Sequence, residues 1–154
     1  MTITLKSSAF ENEERIPDIY TCTGRNISPP LHWDHVPNST KSFVLIMEDL
    51  DTPISVLTHW IIYNIPSDVR KIAEDTPHET MLSDGMMQGR NGVRRIGYMG
   101  PCPPFGSHRY RFTIHAINQV IPPDPKMNKK KIQKELKHNI LDSSSLIGIY
   151  SKKK

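Results

Sequence analysis

The stretch G-Y-M-G-P-C-P-P-F-G-S-H-R-Y (Gly97 to Tyr110) runs straight into R-F-T-I-H-A-I (Arg111 to Ile117). Its first half cannot be helical. Pro101, Pro103 and Pro104 lack amide donors and would clash with a preceding helical turn, and they equally exclude a central strand. Its end carries the clearest period of two in the chain, with Tyr110, Phe112, Ile114 and Ala116 alternating with Arg109, Arg111, Thr113 and His115. A stiff loop therefore delivers His108 and Tyr110 to the mouth of a strand whose Tyr110, Phe112 and Ile114 face a core. His108 shares that side, and His115 falls on the opposite, more polar face as a structural or solvent-exposed residue. Spacing alone leaves His108 two readings: a binding residue on a rigid loop, or the histidine of a structural turn.

Working outward, two further strands stand out. S-F-V-L-I-M-E (Ser42 to Glu48) is nearly continuous apolar sequence, the mark of a central strand buried on both faces. H-W-I-I-Y-N-I (His59 to Ile65) reads the same way, with His59 at its entrance. Between them lies D-L-D-T-P (Asp49 to Pro53). Residues i and i+2 of an extended chain point to one side, so Asp49 and Asp51 repel each other unless donors compensate. They read as an Asx turn, a metal site, an acid/base pair, or acceptors that orient a histidine. A calcium loop would need more oxygen ligands at regular spacing. His59 reads as a packing residue, or as a partner of the aspartates across adjacent strands.

The rest of the chain is punctuated by turns. Thirteen prolines spread along 154 residues favour short strands over long helices. Thr2 to Lys6, Ile19 to Cys22, Leu31 to Trp33, Val69 to Ala73, Met86 to Gln88 and Leu146 to Tyr150 are the shorter strand candidates. Asn128 to Asn139 is the one helix, with Asn128 as N-cap and Ile132, Leu136 and Ile140 as its apolar stripe. Lysines in its first turn oppose the helix dipole, which calls for an acidic group nearby.

The length fits one domain, residues 1–154, with neither repeat nor linker. Mean hydropathy is −0.48 and pI about 9.1. The net charge of +4 comes from Lys129 to Lys131 and Lys152 to Lys154; without these six the chain is at −2. No stacking aromatics accompany the lysines, so nucleic acid is not expected as a partner. No apolar run can span a bilayer and no signal peptide is visible, which points to the cytoplasm. Cys22 and Cys102, the only cysteines, are then expected to be reduced thiols. Neither a metal nor a cofactor is expected.

D-L-D-T-P, H-W-I-I-Y-N and G-Y-M-G-P-C-P-P-F-G-S-H-R-Y-R-F, in that order, resemble the phosphatidylethanolamine-binding protein family, also called Raf kinase inhibitor-like. N-I-S-P-P-L-H-W (Asn26 to Trp33) and the closing L-I-G-I-Y-S resemble its bacterial and archaeal branch. The resemblance covers essentially the whole chain. It implies an all-β fold, a Greek-key β-sandwich of two antiparallel sheets with a short C-terminal helix. It also implies a small pocket for phosphate-like or carboxylate groups. Carried over, the pocket residues are Asp49, Asp51, Pro53, His59, Cys102, Pro103, His108 and Tyr110, while Arg109 points away and pairs with a carboxylate. Leu50 replaces the usual proline between the aspartates, and Ile114 to Ile117 departs from the family's usual tyrosine-containing strand.

An anion beside two aspartates makes sense if these hold His59 and His108 protonated, or donate when protonated themselves, so that imidazolium, the Tyr110 hydroxyl and backbone amides cradle it. No nucleophile with an attendant base is evident; Cys102 is the sole candidate and reads better as a small residue shaping the loop. The sequence therefore favours a binding or regulatory protein over an enzyme. Its partner is a phosphate-bearing small molecule, a lipid headgroup or a protein target. The alternatives are a protease or hydrolase inhibitor, or a cysteine- or histidine-dependent hydrolase. A homodimer is the expected assembly.

Overall fold

A computed structural model describes residues 2–152; of the terminal lysines, Lys153 and Lys154 lie outside the described residues. Nine strands and one helix follow in order: β1 (Thr4–Lys6), β2 (Glu14–Arg15), β3 (Leu31–Asp34), β4 (Ser42–Asp49), β5 (Leu57–Pro66), β6 (Lys71–Ile72), β7 (Met87–Gln88), β8 (His108–Ile117), α1 (Lys129–Leu136) and β9 (Ile140–Tyr150). They form a small sheet β1-β3-β6 and a large sheet β2-β9-β8-β4-β5-β7. The fold is mostly strand, in two sheets, with one short helix.

β4 is buried along its whole length and pairs antiparallel with both β5 and β8. One face carries Phe43, Leu45 and Met47. They share a core with Trp60, Tyr110, Phe112 and Ile114, and with Leu5, Leu31 and Trp33 of the small sheet. The other face carries Val44 and Ile46, which pack with Ile61 and Tyr63 and with Ile132 and Leu136 of α1. Each face of β4 thus has its own cover, which is why its sequence does not alternate. Truncating one of these buried aliphatics to alanine costs about 2–5 kcal/mol.

The helix begins as its cap signals: the Asn128 side chain accepts from the Lys131 amide at 2.9 Å. Its lysines do meet acids, Lys129 pairing with Glu48 and Lys131 with Asp124. The expected helix was too long, however. It stops at Leu136, and Ile140 opens β9 instead, 45% exposed. β9 itself is longer than Leu146 to Tyr150, because β8 offers a partner for the whole stretch and Asp142 and Ser144 accept from the amides of Ile3 and Leu5. Ile19 to Cys22 is not a strand; Asp18 to Tyr20 forms a 3-10 turn with Thr21 bonded back to Asp18.

The cysteines are a correction. Cys22 and Cys102 form a disulfide, with Cα atoms 5.5 Å apart. The 3-10 turn and the proline loop are brought together by Tyr98, whose hydroxyl donates to Tyr20 O at 2.7 Å, and by Asn26, whose side chain accepts from the Gly100 amide at 3.0 Å. A Cβ at Gly100 would sit 2.1 Å from that same Asn26 oxygen. The loop can approach so closely only as glycine.

Candidate functional site

At one end of the large sheet, Asp49 stands opposite Tyr110 on β8 and opposite Leu57 on β5. A register shift between Met47 and Glu48 leaves His59 as the extra residue of β5, a β-bulge that turns a strand and re-aims its side chains. His108 lies two residues before Tyr110 on the same face. These four side chains, with Pro53, Cys102 and Pro103, line one cavity of about 430 Å³. Its walls are completed by Leu57, Met99 and Phe105, which sequence reading did not single out because apolar loop residues carry no chemical signature.

The polar groups are held from behind. His108 Nδ1 donates to Asp49 Oδ2 at 2.8 Å, and Asp49 Oδ1 accepts from the Asp51 amide at 2.9 Å. The nitrogen of His108 left free is Nε2. His59 Nδ1–H donates to Met99 O at 2.5 Å, while the Met99 amide donates to His59 O at 3.0 Å. His59 therefore keeps an unprotonated Nε2 when neutral, and burial pushes its pKa below the ordinary histidine value, against the opposing pull of Met99 O and Asp49. The expectation that an aspartate holds His59 protonated is thus corrected: its ring is fixed by a carbonyl and desolvated. The two histidines flank Tyr110, His59 edge-on with ring centres 5.3 Å apart and His108 stacked at 6.3 Å. The Tyr110 hydroxyl is buried beside the Asp49 carboxylate and the Cys102 backbone, outside good hydrogen-bonding geometry to either. Burial and the nearby Asp49 charge push its pKa far up, so it stays a neutral donor.

Asp51 lies apart from the cavity lining. Its carboxylate grips Arg109, with Oδ2 accepting from the backbone amide at 2.7 Å and from Nε at 3.0 Å, and Oδ1 from Nη2 at 2.8 Å. Arg109 pulls the Asp51 carboxyl down to about 2. This pair staples the Asp49 loop to β8 and bears out the reading that Arg109 points away to a carboxylate. It also substitutes for the missing ring of a proline at Leu50, whose amide bonds to Arg109 O at 3.0 Å. His115, read as structural or exposed, is half-buried beneath α1, with Nδ1 2.6 Å from Ser143 Oγ. No group of three or more potential metal-binding side chains occurs among the described residues, and no helix there is long and apolar enough to cross a membrane.

Two sheets, one short helix and a histidine–aspartate cavity at the sheet end define a mostly-β protein with a polar-and-apolar cavity. The family model for phosphatidylethanolamine-binding protein matches residues 6–151, and the chain belongs to this family. It is 45% identical over 148 residues to a UPF0098 protein of Methanothermobacter thermautotrophicus, covering 96% of this chain and 98% of that one. A UPF0098 protein of Aquifex aeolicus is 44% identical, with 95% and 86% covered. Among solved structures, a phosphatidylethanolamine-binding protein homologue from Chlamydia trachomatis superposes with a TM-score of 0.91 at 36% identity, covering 99% of both chains. E. coli YbcL gives 0.91 at 30% identity, covering 99% of this chain and 100% of that one. The bacterial and archaeal character read from the sequence agrees with these relatives.

Proposed function

We propose that the cavity lined by Asp49, His59, His108 and Tyr110 binds a phosphate-like anion and that the protein is a ligand-binding or regulatory module. The observation that carries this reading is the cavity's polar wall, where His108 and His59 each give Nδ1 to the protein and keep Nε2 for the cavity beside Tyr110.

The remaining groups fit a hydrogen phosphate ester. With Nδ1–H given to Asp49, protonation of His108 turns its Nε2 into a donor toward the cavity. The neutral His59 offers Nε2 as an acceptor for the P–OH proton. Asp51 supports this arrangement through Arg109 rather than touching the ligand. The apolar walls suit the organic remainder of a phosphomonoester or a lipid headgroup. Ile54, 97% exposed, and Phe105, 85% exposed, stand on the two flanking loops and favour a protein target as a second reading.

The cysteine-hydrolase alternative loses its nucleophile, because the Cys102 sulfur is bound to Cys22. The disulfide also removes one support for a cytoplasmic location, since such bonds persist chiefly in oxidising compartments. Titrating phenyl phosphate by NMR between mild acid and mild alkali tests the site. Affinity should fall as pH rises through the histidine range and should be lost in His108→Ala; an affinity flat in pH and indifferent to that substitution refutes the reading. Sedimentation velocity tests the expected homodimer.

A further inference from the structure

The lysines at the start of α1 are only partly accounted for. Lys129 is held by Glu48 and Lys131 by Asp124, but Lys130 has no acidic partner among the described residues. Lys130 lines a cavity of about 320 Å³ with Lys129, Arg90, Arg94 and Thr58. The guanidinium groups of Arg90 and Arg94 are likewise without an ion pair there. Glu48, the one carboxylate bonded to a residue of this wall, is already shared between Lys129 and Arg111. Three uncompensated cations facing one small space repel each other.

The loop backbone that carries Arg90 and Arg94 is held in place. The Arg90 amide donates to Met127 O at 2.7 Å, and the Gly92 amide to Thr58 O at 2.8 Å. The Asn91 side chain accepts from the amides of Val93 and Arg95 and donates to Gly97 O. At Gly92 a Cβ would stand 2.3 Å from Leu57 Cδ1, so the loop packs tightly against that side chain. Thr58, only 7% exposed, stands opposite Glu48 in the strand register and faces the same cavity, and its hydroxyl takes part in no hydrogen bond among the described residues. A hydroxyl without a protein partner among these cations is free to donate to an acceptor in the cavity.

We propose that this cavity is a second anion site, for a phosphate group carried by a soluble small molecule. Arg90, Arg94 and Lys130 supply charge-assisted donors, Thr58 supplies a neutral one, and the start of α1 adds the favourable end of its dipole. No large apolar side chain lines the cavity, so it offers no bed for an acyl chain. The site is separate from the Asp49–His108 cavity and stands or falls independently of it.

Amide NMR with inorganic pyrophosphate at constant ionic strength tests this. The amides of Gly92, Arg94 and Lys130 should shift saturably. Arg94→Gln and Lys130→Gln, both exposed changes, should each weaken that binding roughly tenfold. Thr58→Val should weaken it a few-fold, and His108→Ala should leave it unchanged. Shifts that sodium chloride reproduces, that keep their affinity in both charge variants, or that occur only around His108 and Tyr110 would overturn the proposal.

Discussion

Glu48 and Asp49 are consecutive residues at the end of β4, yet they serve opposite faces of the sheet in different ways. Glu48 faces α1 and is held by two fixed cations, Arg111 at 3.1 Å and Lys129. Burial works against its charge, but these cations prevail and lower its pKa. Asp49 faces the other cavity, and its side-chain partner is the imidazole of His108. The first arrangement locks a helix onto a sheet. The second orients an imidazole and leaves one of its nitrogens free toward the cavity. A carboxylate with permanent partners is structural; a carboxylate with a histidine partner can set binding chemistry.

The largest effect expected from disturbing this contrast is on stability. Glu48→Ala strands Arg111 and Lys129 and should cost about 2–4 kcal/mol, less than a fully buried pair because both cations reach solvent. Chemical denaturation measures it; a loss indistinguishable from that of Asp49→Asn would erase the distinction between the two acids. Next comes His115, on the Glu48 side, whose pKa burial lowers to about 4 from 6.5. The unfolded chain then binds the extra proton between those values, so stability should be full above 6.5 and fall as pH drops toward 4. The loss is on the order of 1–2 kcal/mol, and His115→Asn should flatten the melting temperature over that window. An unchanged profile would show the ring to be open to water.

On the Asp49 side the effects should appear in affinity. Asp49→Asn keeps the shape but weakens the grip on His108, and phenyl phosphate should bind roughly tenfold more weakly. Isothermal titration showing equal affinity would remove Asp49 from the site. Smallest of all is Tyr110→Phe. It removes a buried hydroxyl that stands beside Asp49 and the Cys102 backbone outside good hydrogen-bonding geometry, so stability should change by less than about 1 kcal/mol, while phosphate affinity drops a few-fold. A marked loss of stability would mean that the hydroxyl is already satisfied.

Sequence patterns reveal β4 and β8 because burial on two faces, and on one, each leaves a periodic trace. Spacing alone leaves His59 and His108 open between packing and binding; it is the family resemblance that groups them with Asp49, Asp51 and Tyr110. The first half of β9 is illegible: Asp142 to Ser145 are polar and earn their strand from β8 and from the amides of Ile3 and Leu5. The Cys22–Cys102 pairing is hidden too, since a separation of 80 residues says nothing about proximity. Nor does spacing show that Asp51 turns to Arg109 while Asp49 turns to His108, since that division depends on side-chain direction at the loop.

The disulfide has a topological consequence. It closes a covalent ring from Cys22 to Cys102 that contains β3 to β7. Asp49 and His59 belong to the ring; His108 and Tyr110 belong to the tail that leaves it. The cavity is therefore a seam between a closed loop and a free end, and it exists only once β8 has inserted beside β4. Such a long-range contact forms late and is lost by any opening that frees the tail. Occupancy of the cavity would act as a clasp, welding the tail to the ring.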